Sequence, residues 1–157
     1  FTKTGDSHGI TVIDDYAHHP IEIETVLKPA RMAVTENEGN VSAVMQPHRY
    51  SRLNDLFEDF CKCFNDADHV IITDVYEAGE TAIEGADKRS LVEGIKNHGH
   101  RNVSPLPSRA ELAHMISKIA REGDYVICMG AGDITSYAYG LPAQLDEELS
   151  KAKGNAA

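Results

Sequence analysis

Two stretches gather the side chains best suited to chemistry: Asp14-Asp15-Tyr16-Ala17-His18-His19-Pro20 and Gln46-Pro47-His48-Arg49-Tyr50-Ser51-Arg52. Arginine binds a carboxylate or phosphate through a planar two-pronged fork. Imidazole changes charge near neutrality and can donate or accept a hydrogen bond. Carboxylates such as Asp14 and Asp15 can accept from ribose hydroxyls or from a substrate ammonium. Each stretch follows an apolar, strand-like run and opens a helical one. In an open α/β sheet, that junction borders the crevice outside the strand carboxyl ends, where ligands bind. Pro20 favours the first helical position, which leaves His18 and His19 just outside a helix N-terminus that attracts anions. Two such junctions in succession point to a site for a small anionic substrate.

Plainer readings exist for each group. One imidazole could cap the helix, the acids could solvate a strand end, and Arg49 and Arg52 could pair with surface carboxylates. Ser51 suits an N-cap. Asp74-Val75-Tyr76-Glu77-Ala78-Gly79-Glu80 follows a third strand, and the loop onward to Asp87 is long enough to fold over a ligand. Gly130-Ala131-Gly132-Asp133 resembles a dinucleotide fingerprint, but Thr135 stands where the third glycine belongs, and close backbone packing explains it equally well. No G-x-x-x-x-G-K-S/T phosphate loop, G-x-S-x-G elbow or H-E-x-x-H helix occurs. A metal held by His18, His19 and His48 is disfavoured, because adjacent histidines rarely point the same way; no metal ligand is assigned.

The positioning elements follow from periodicity. Phe1–Thr4 and Ile10–Asp14 read as a hairpin around residues 5–9. Ile21, Val26, Leu27, Ala30 and Val34 mark a helix in which Pro29 should cause a kink or an early end. Val41–Met45 is a strand, followed by one helical stripe through Leu53, Leu56, Phe57, Phe60 and Phe64. His69–Thr73 and Asn102–Leu106 are strands enclosing a short helix through Leu91, Val92 and Ile95. Leu112 to Ile119 is helical, Tyr125–Met129 is a buried strand, and a last helix begins near Asp133, interrupted at Gly140 and Pro142. Alternating strands and helices imply crossover units and a mainly parallel sheet. The expected fold is a three-layer, Rossmann-like α/β domain over residues 1–150 with an antiparallel N-terminal hairpin strand. Residues 151–157 read as a polar, frayed tail.

Composition narrows the partners. The 157 residues carry a formal net charge of −10, which argues against nucleic acid. No run is apolar enough to span a bilayer, and no segment resembles a signal peptide, which points to the cytosol. Cys61, Cys63 and Cys128 read as reduced packing thiols rather than a disulfide framework. The start at Phe1-Thr2-Lys3-Thr4, with no initiator methionine, suggests a piece of a longer protein.

The motifs Asp14 to Pro20, Gln46 to Arg52, Asp74-Val75-Tyr76 through Ala78-Gly79-Glu80, Gly85-Ala86-Asp87 and Gly130-Ala131-Gly132 resemble, in order and spacing, the C-terminal domain of the Mur ligase family. They resemble in particular the branch that joins L-alanine to UDP-N-acetylmuramate in peptidoglycan precursor synthesis. The resemblance runs from Phe1 to about Leu149, and the first two motifs carry most of it. It implies an ATP-dependent amide-forming ligase, with the phosphate loop in a central domain and the UDP-sugar site in an N-terminal one. Asp15 would then sit near the ATP ribose. Tyr16, His18, His48, Arg49 and Arg52 would surround alanine and the reacting centre, and Mg2+ would be held mainly by the central domain. An arginine that contacts the nucleotide would lie just before Phe1. The fragment alone would be inactive. The murein peptide ligase has a similar first motif but a different second one. A non-catalytic anion-binding module is the reading from another class.

Overall fold

The computed structural model describes the backbone of residues 1–156 and the side-chain surroundings of residues 1–154. Strands β1 (Thr2–Ser7) and β2 (Ile10–Asp15) form the opening hairpin. His8 and Gly9 alone make its turn, with φ of 50° and 83°. Two successive positive φ values match the right-handed twist of the flanking strands. The loop is therefore tighter than the five residues expected from the sequence.

Helix α1 (Pro20–Thr35) follows, then β3 (Val41–Met45), α2 (Tyr50–Asp55), α3 (Phe57–Lys62) and β4 (His69–Ile72). The chain continues through α4 (Lys88–Asn97), β5 (Val103–Pro105), α5 (Leu112–Ile119), β6 (Tyr125–Met129) and α6 (Ile134–Ala156). The sheet order is β1-β2-β6-β3-β4-β5, and every pair except β1–β2 is parallel. Strand β6, inserted last, occupies the centre between β2 and β3, where burial on both faces demands an almost unbroken apolar run.

Alternation along the strands divides the core into two layers. Ile13, Ala43, Met45, Ile72 and Ile127 pack with α1, α3 and α4. Val12, Val44, Ile71, Val126 and Cys128 pack with α5 and α6. The expected three-layer α/β domain is what forms. Burial raises the Cys61 thiol to about 11 and the Cys128 thiol to about 12, so both are poor thiolate formers at neutral pH.

Four local expectations change. Helix α1 does not end early at Pro29, which is exposed, so the carbonyl it leaves unpaired can turn to water. The stripe from Leu53 to Phe64 is two short helices, because Leu56 leaves helical geometry at φ −114°, ψ 21°. Helix α6 continues past Gly140 and Pro142 and includes residues 151–156. Pro142 lies against Gly5 of β1, where an added Cβ would come within 2.9 Å of its ring. Ser51 is not the N-cap of α2; Arg49 occupies that position.

Helix α4 tests local propensity against packing. Alanine at position 94 would gain about 1 kcal/mol of helix propensity over glycine. Its Cβ, however, would stand 2.5 Å from Cys61 Sγ and 3.1 Å from the Phe57 ring. Overpacking of this kind costs about 1–3 kcal/mol, so Gly94→Ala should destabilise the domain in urea unfolding. A stabilised variant would contradict the α3–α4 contact. The Asp87 carboxylate caps α4 by accepting the Ser90 N–H at 2.8 Å, and that bond holds its pKa below the ordinary value. A depressed folded pKa adds stability above the unfolded value of about 3.9, lost as pH falls through the folded one. Asp87→Ala should therefore cost about 1 kcal/mol at pH 7, and the gap should narrow below about pH 4. An equal gap at pH 3 and pH 7 would show that the charge contributes nothing.

Candidate functional site

Parallel register sets the geometry. Asp15 of β2 and Met45 of β3 both stand beside Met129 of β6, and Ile72 of β4 stands beside Met45. The connections after these strands therefore leave the same sheet edge, and the first two motifs share one rim. The His18 and His48 ring centroids are 6.1 Å apart.

The two acids of the first motif diverge, because consecutive strand residues face opposite sides. Asp14 accepts from the Thr135 hydroxyl at 3.3 Å, and burial raises its pKa. Asp15 turns the chain by accepting the Ala17 N–H at 2.8 Å. Tyr16 is exposed and meets the His18 ring edge-on at 5.0 Å. Glu22 accepts both the His18 and His19 N–H groups, at 3.2 and 3.0 Å, and so caps α1. Burial opposes ionisation there, but those hydrogen bonds prevail and hold Glu22 below its ordinary range. Contrary to expectation, the adjacent imidazoles do converge: their centroids are 4.8 Å apart, and with Glu22 their ligand atoms lie within 4.8 Å of one another. Glu22 Oε1 is nevertheless committed to the helix cap, and His48 is not part of that group.

The second motif is held by the third. Tyr76 N–H donates to the Pro47 carbonyl and Arg49 N–H to the Tyr76 carbonyl, each at 2.8 Å, giving an isolated parallel bridge. The Tyr76 ring stacks on His48 at 5.4 Å and 11°. Arg49, exposed at the N-cap of α2, adopts φ 74°, a conformation that non-glycine residues keep only when surrounding contacts impose it. Arg52 turns back: its Nη1 donates to the His48 carbonyl and faces His48 Nδ1, both at 3.1 Å. The two arginines thus present no matched pair of prongs. Glu80 crosses from the long loop to accept the Ser51 N–H and hydroxyl, which hold its carboxyl below the usual range. His48 is held below its ordinary pKa by burial, with Arg52, His18 and Arg49 adding to the effect.

Gln46 joins the rim to the centre of the sheet. It is 4% exposed; its amide nitrogen donates to Asp133 at 2.6 Å, and its side-chain oxygen accepts the Ile134 N–H at 3.2 Å. A Cβ on Gly132 would strike the Tyr76 ring and the Gln46 side chain, both at 2.6 Å. The Gly130-Ala131-Gly132 turn is therefore closely packed, with no room for a side chain at Gly132. Beside it lies a cleft of about 460 Å³ bordered by Gln46, Tyr76, Asp133, Arg109 and Tyr137, with Arg109 lying 4.4 Å over the Tyr137 ring. Gln46, Tyr76 and Glu80 lie in the noted segments, but their roles depend on contacts across tens of residues.

Comparison with known proteins identifies the family. Residues 1–132 match the family model described as Mur ligase, glutamate ligase domain. The UDP-N-acetylmuramate–L-alanine ligase of Rhodospirillum centenum is 60% identical over 93% of this chain and 30% of its own length. That of Phenylobacterium zucineum is 59% identical over 100% of this chain and 32% of its own. The chain thus spans about a third of the curated relatives it matches. The solved UDP-N-acetylmuramate-alanine ligase of Thermotoga maritima superposes with a TM-score of 0.70 at 25% identity, over 97% of this chain and 30% of that one. A solved single domain from Haemophilus ducreyi has the same fold, with a TM-score of 0.67 at 22% identity over 92% of this chain and 98% of its own. With most of its length inside the family model, and with the strand-edge motifs assembled on one rim, the chain belongs to the Mur ligase family.

Proposed function

We propose that this domain supplies the amino-acid side of an ATP-dependent ligase that joins L-alanine to UDP-N-acetylmuramate in the cytoplasm. The observation that carries the reading is the convergence of His18, His48, Arg49 and Arg52 on one rim of an otherwise acidic protein. The names of the relatives with 59–60% identity support it.

Arg49 is the exposed guanidinium at the rim and suits the carboxylate of alanine. Arg52 brings its charge beside His48, with Nη1 committed to that residue. Tyr16 borders His18 and can limit the space beside the acceptor. These groups are positioned to stabilise charge that develops as the amide forms.

Asp15 fits a ribose: the Ala17 N–H uses part of its carboxylate, and a carboxylate can accept about four hydrogen bonds. The chain has no glycine cradle for phosphates, and Gly130 to Gly132 are packed against Gln46 and Tyr76. ATP and Mg2+ would therefore be held mostly by the N-terminal and central domains of the complete protein, with Asp15 contributing from this side. Their chemistry when bound is to activate the muramoyl carboxylate by phosphorylation.

In the complete protein, L-alanine, ATP and UDP-N-acetylmuramate should together yield amide and ADP, while this chain alone yields neither. Arg49→Ala should lower kcat/KM for alanine by about 10- to 100-fold, the loss expected for one charged hydrogen bond, with Tm unchanged. Normal alanine kinetics in that variant would remove Arg49 from the site.

A further inference from the structure

The hydrogen bonds around His18 and His48 decide which ring nitrogen of each carries hydrogen. His18 Nδ1 lies 2.9 Å from the Tyr16 carbonyl, which can only accept, so Nδ1 bears the hydrogen. In the neutral ring, Nε2 then holds a lone pair. His48 has the opposite arrangement. Its Nδ1 lies 3.1 Å from Arg52 Nη1, and a guanidinium has only donors, so Nδ1 accepts and Nε2 bears the hydrogen. Tyr76 covers one face of the His48 ring, and the Pro47–Tyr76–Arg49 backbone bridge holds the segment that carries it.

We propose that the rim holds two imidazoles of opposite hydrogen-bonding polarity, His18 an acceptor at Nε2 and His48 a donor at Nε2, with Arg52 the positioning residue that fixes the second. The division deepens the ligase reading and rests on it for its chemistry. The ammonium of the incoming amino acid must lose a proton before it can attack. An N–H bond breaks, the proton passes to His18 Nε2, and the electron pair remains on nitrogen. That pair forms the C–N bond to the phosphorylated carboxyl carbon, and the carbonyl π electrons move onto oxygen. His48 Nε2–H donates to that oxygen as its charge grows. The C=O bond re-forms, phosphate leaves with the C–O electron pair, and the surplus proton on nitrogen leaves with it. Burial and the neighbouring cations keep His48 uncharged to lower pH than an ordinary histidine, which suits a neutral donor that does not titrate during turnover.

Long-range proton–nitrogen NMR of this 157-residue chain at pH 8 reads both tautomers directly. The expected result is hydrogen on Nε2 of His48 and on Nδ1 of His18. Arg52→Leu should convert His48 to a mixture while leaving His18 unchanged. Hydrogen on His48 Nδ1, hydrogen on His18 Nε2, or a His48 indifferent to Arg52→Leu would each overturn the proposal. Kinetics of the complete ligase give an arm that does not depend on that variant folding. Glutamine can place an N–H where His48 Nε2–H lies, so His48→Gln should keep kcat within about 10-fold of wild type, whereas His48→Ala should lose about 100-fold or more. Equal losses would overturn the donor role. If the complete protein ligates nothing yet the tautomers are as stated, the ligase reading fails while the polarity of the pair stands.

Discussion

Everything at the rim depends on parallel strand register. Asp15, Met129, Met45 and Ile72 end their strands side by side, so the four connections that follow are forced to the same edge. A one-residue slip of β3 against β6 would turn every side chain of β3 to the other face. Met45 would leave the α1 layer, and Gln46 would no longer meet the turn before α6. Register is protected because β3 and the core of β6 are buried beneath helices on both sides, so a slip would force each side chain into space shaped for another. The core thus sets the position of the site without touching a ligand.

Register alone brings loops near one another but does not immobilise them. A second set of contacts does, and it is mostly backbone and amide. Gln46 ties the end of β3 to Asp133 and Ile134, and the Tyr76 bridge extends parallel pairing beyond the sheet. Glu80 then pulls the long loop onto Ser51. These bonds hold Arg49 in its positive-φ conformation and leave its guanidinium exposed. Asp15, Glu22 and Glu80 on the same rim accept N–H groups of the motifs themselves, whereas the exposed Arg49 guanidinium suits capture of an anion.

Features governed by local chain order were legible in the sequence. Alternating strands and helices announce the α/β sheet, and Asp15, His18, His48 and Arg49 can be singled out because strand–turn–helix junctions are local patterns. Features governed by distant contacts were not. Pro142 does not interrupt α6, since it packs on Gly5 of β1, more than a hundred residues away. Leu56 breaks the second helical stripe although its spacing suits a continuous helix. The inward turn of Arg52 has no sequence signature, because a guanidinium one turn from His48 could as easily face solvent. The approach of the His18 and His19 rings, and the capture of both backbone N–H groups by one Glu22 oxygen, are details that spacing does not reveal.

The most direct test is a crystal structure of the complete protein with nucleotide and L-alanine bound. Alanine should lie against the rim formed by residues 15–20 and 46–52, its carboxylate toward Arg49 and its nitrogen on the His18 side, with the ribose near Asp15. Alanine bound away from that rim, with His18 and His48 facing only solvent, would contradict the assignment of this sheet edge as the place where the amide is made.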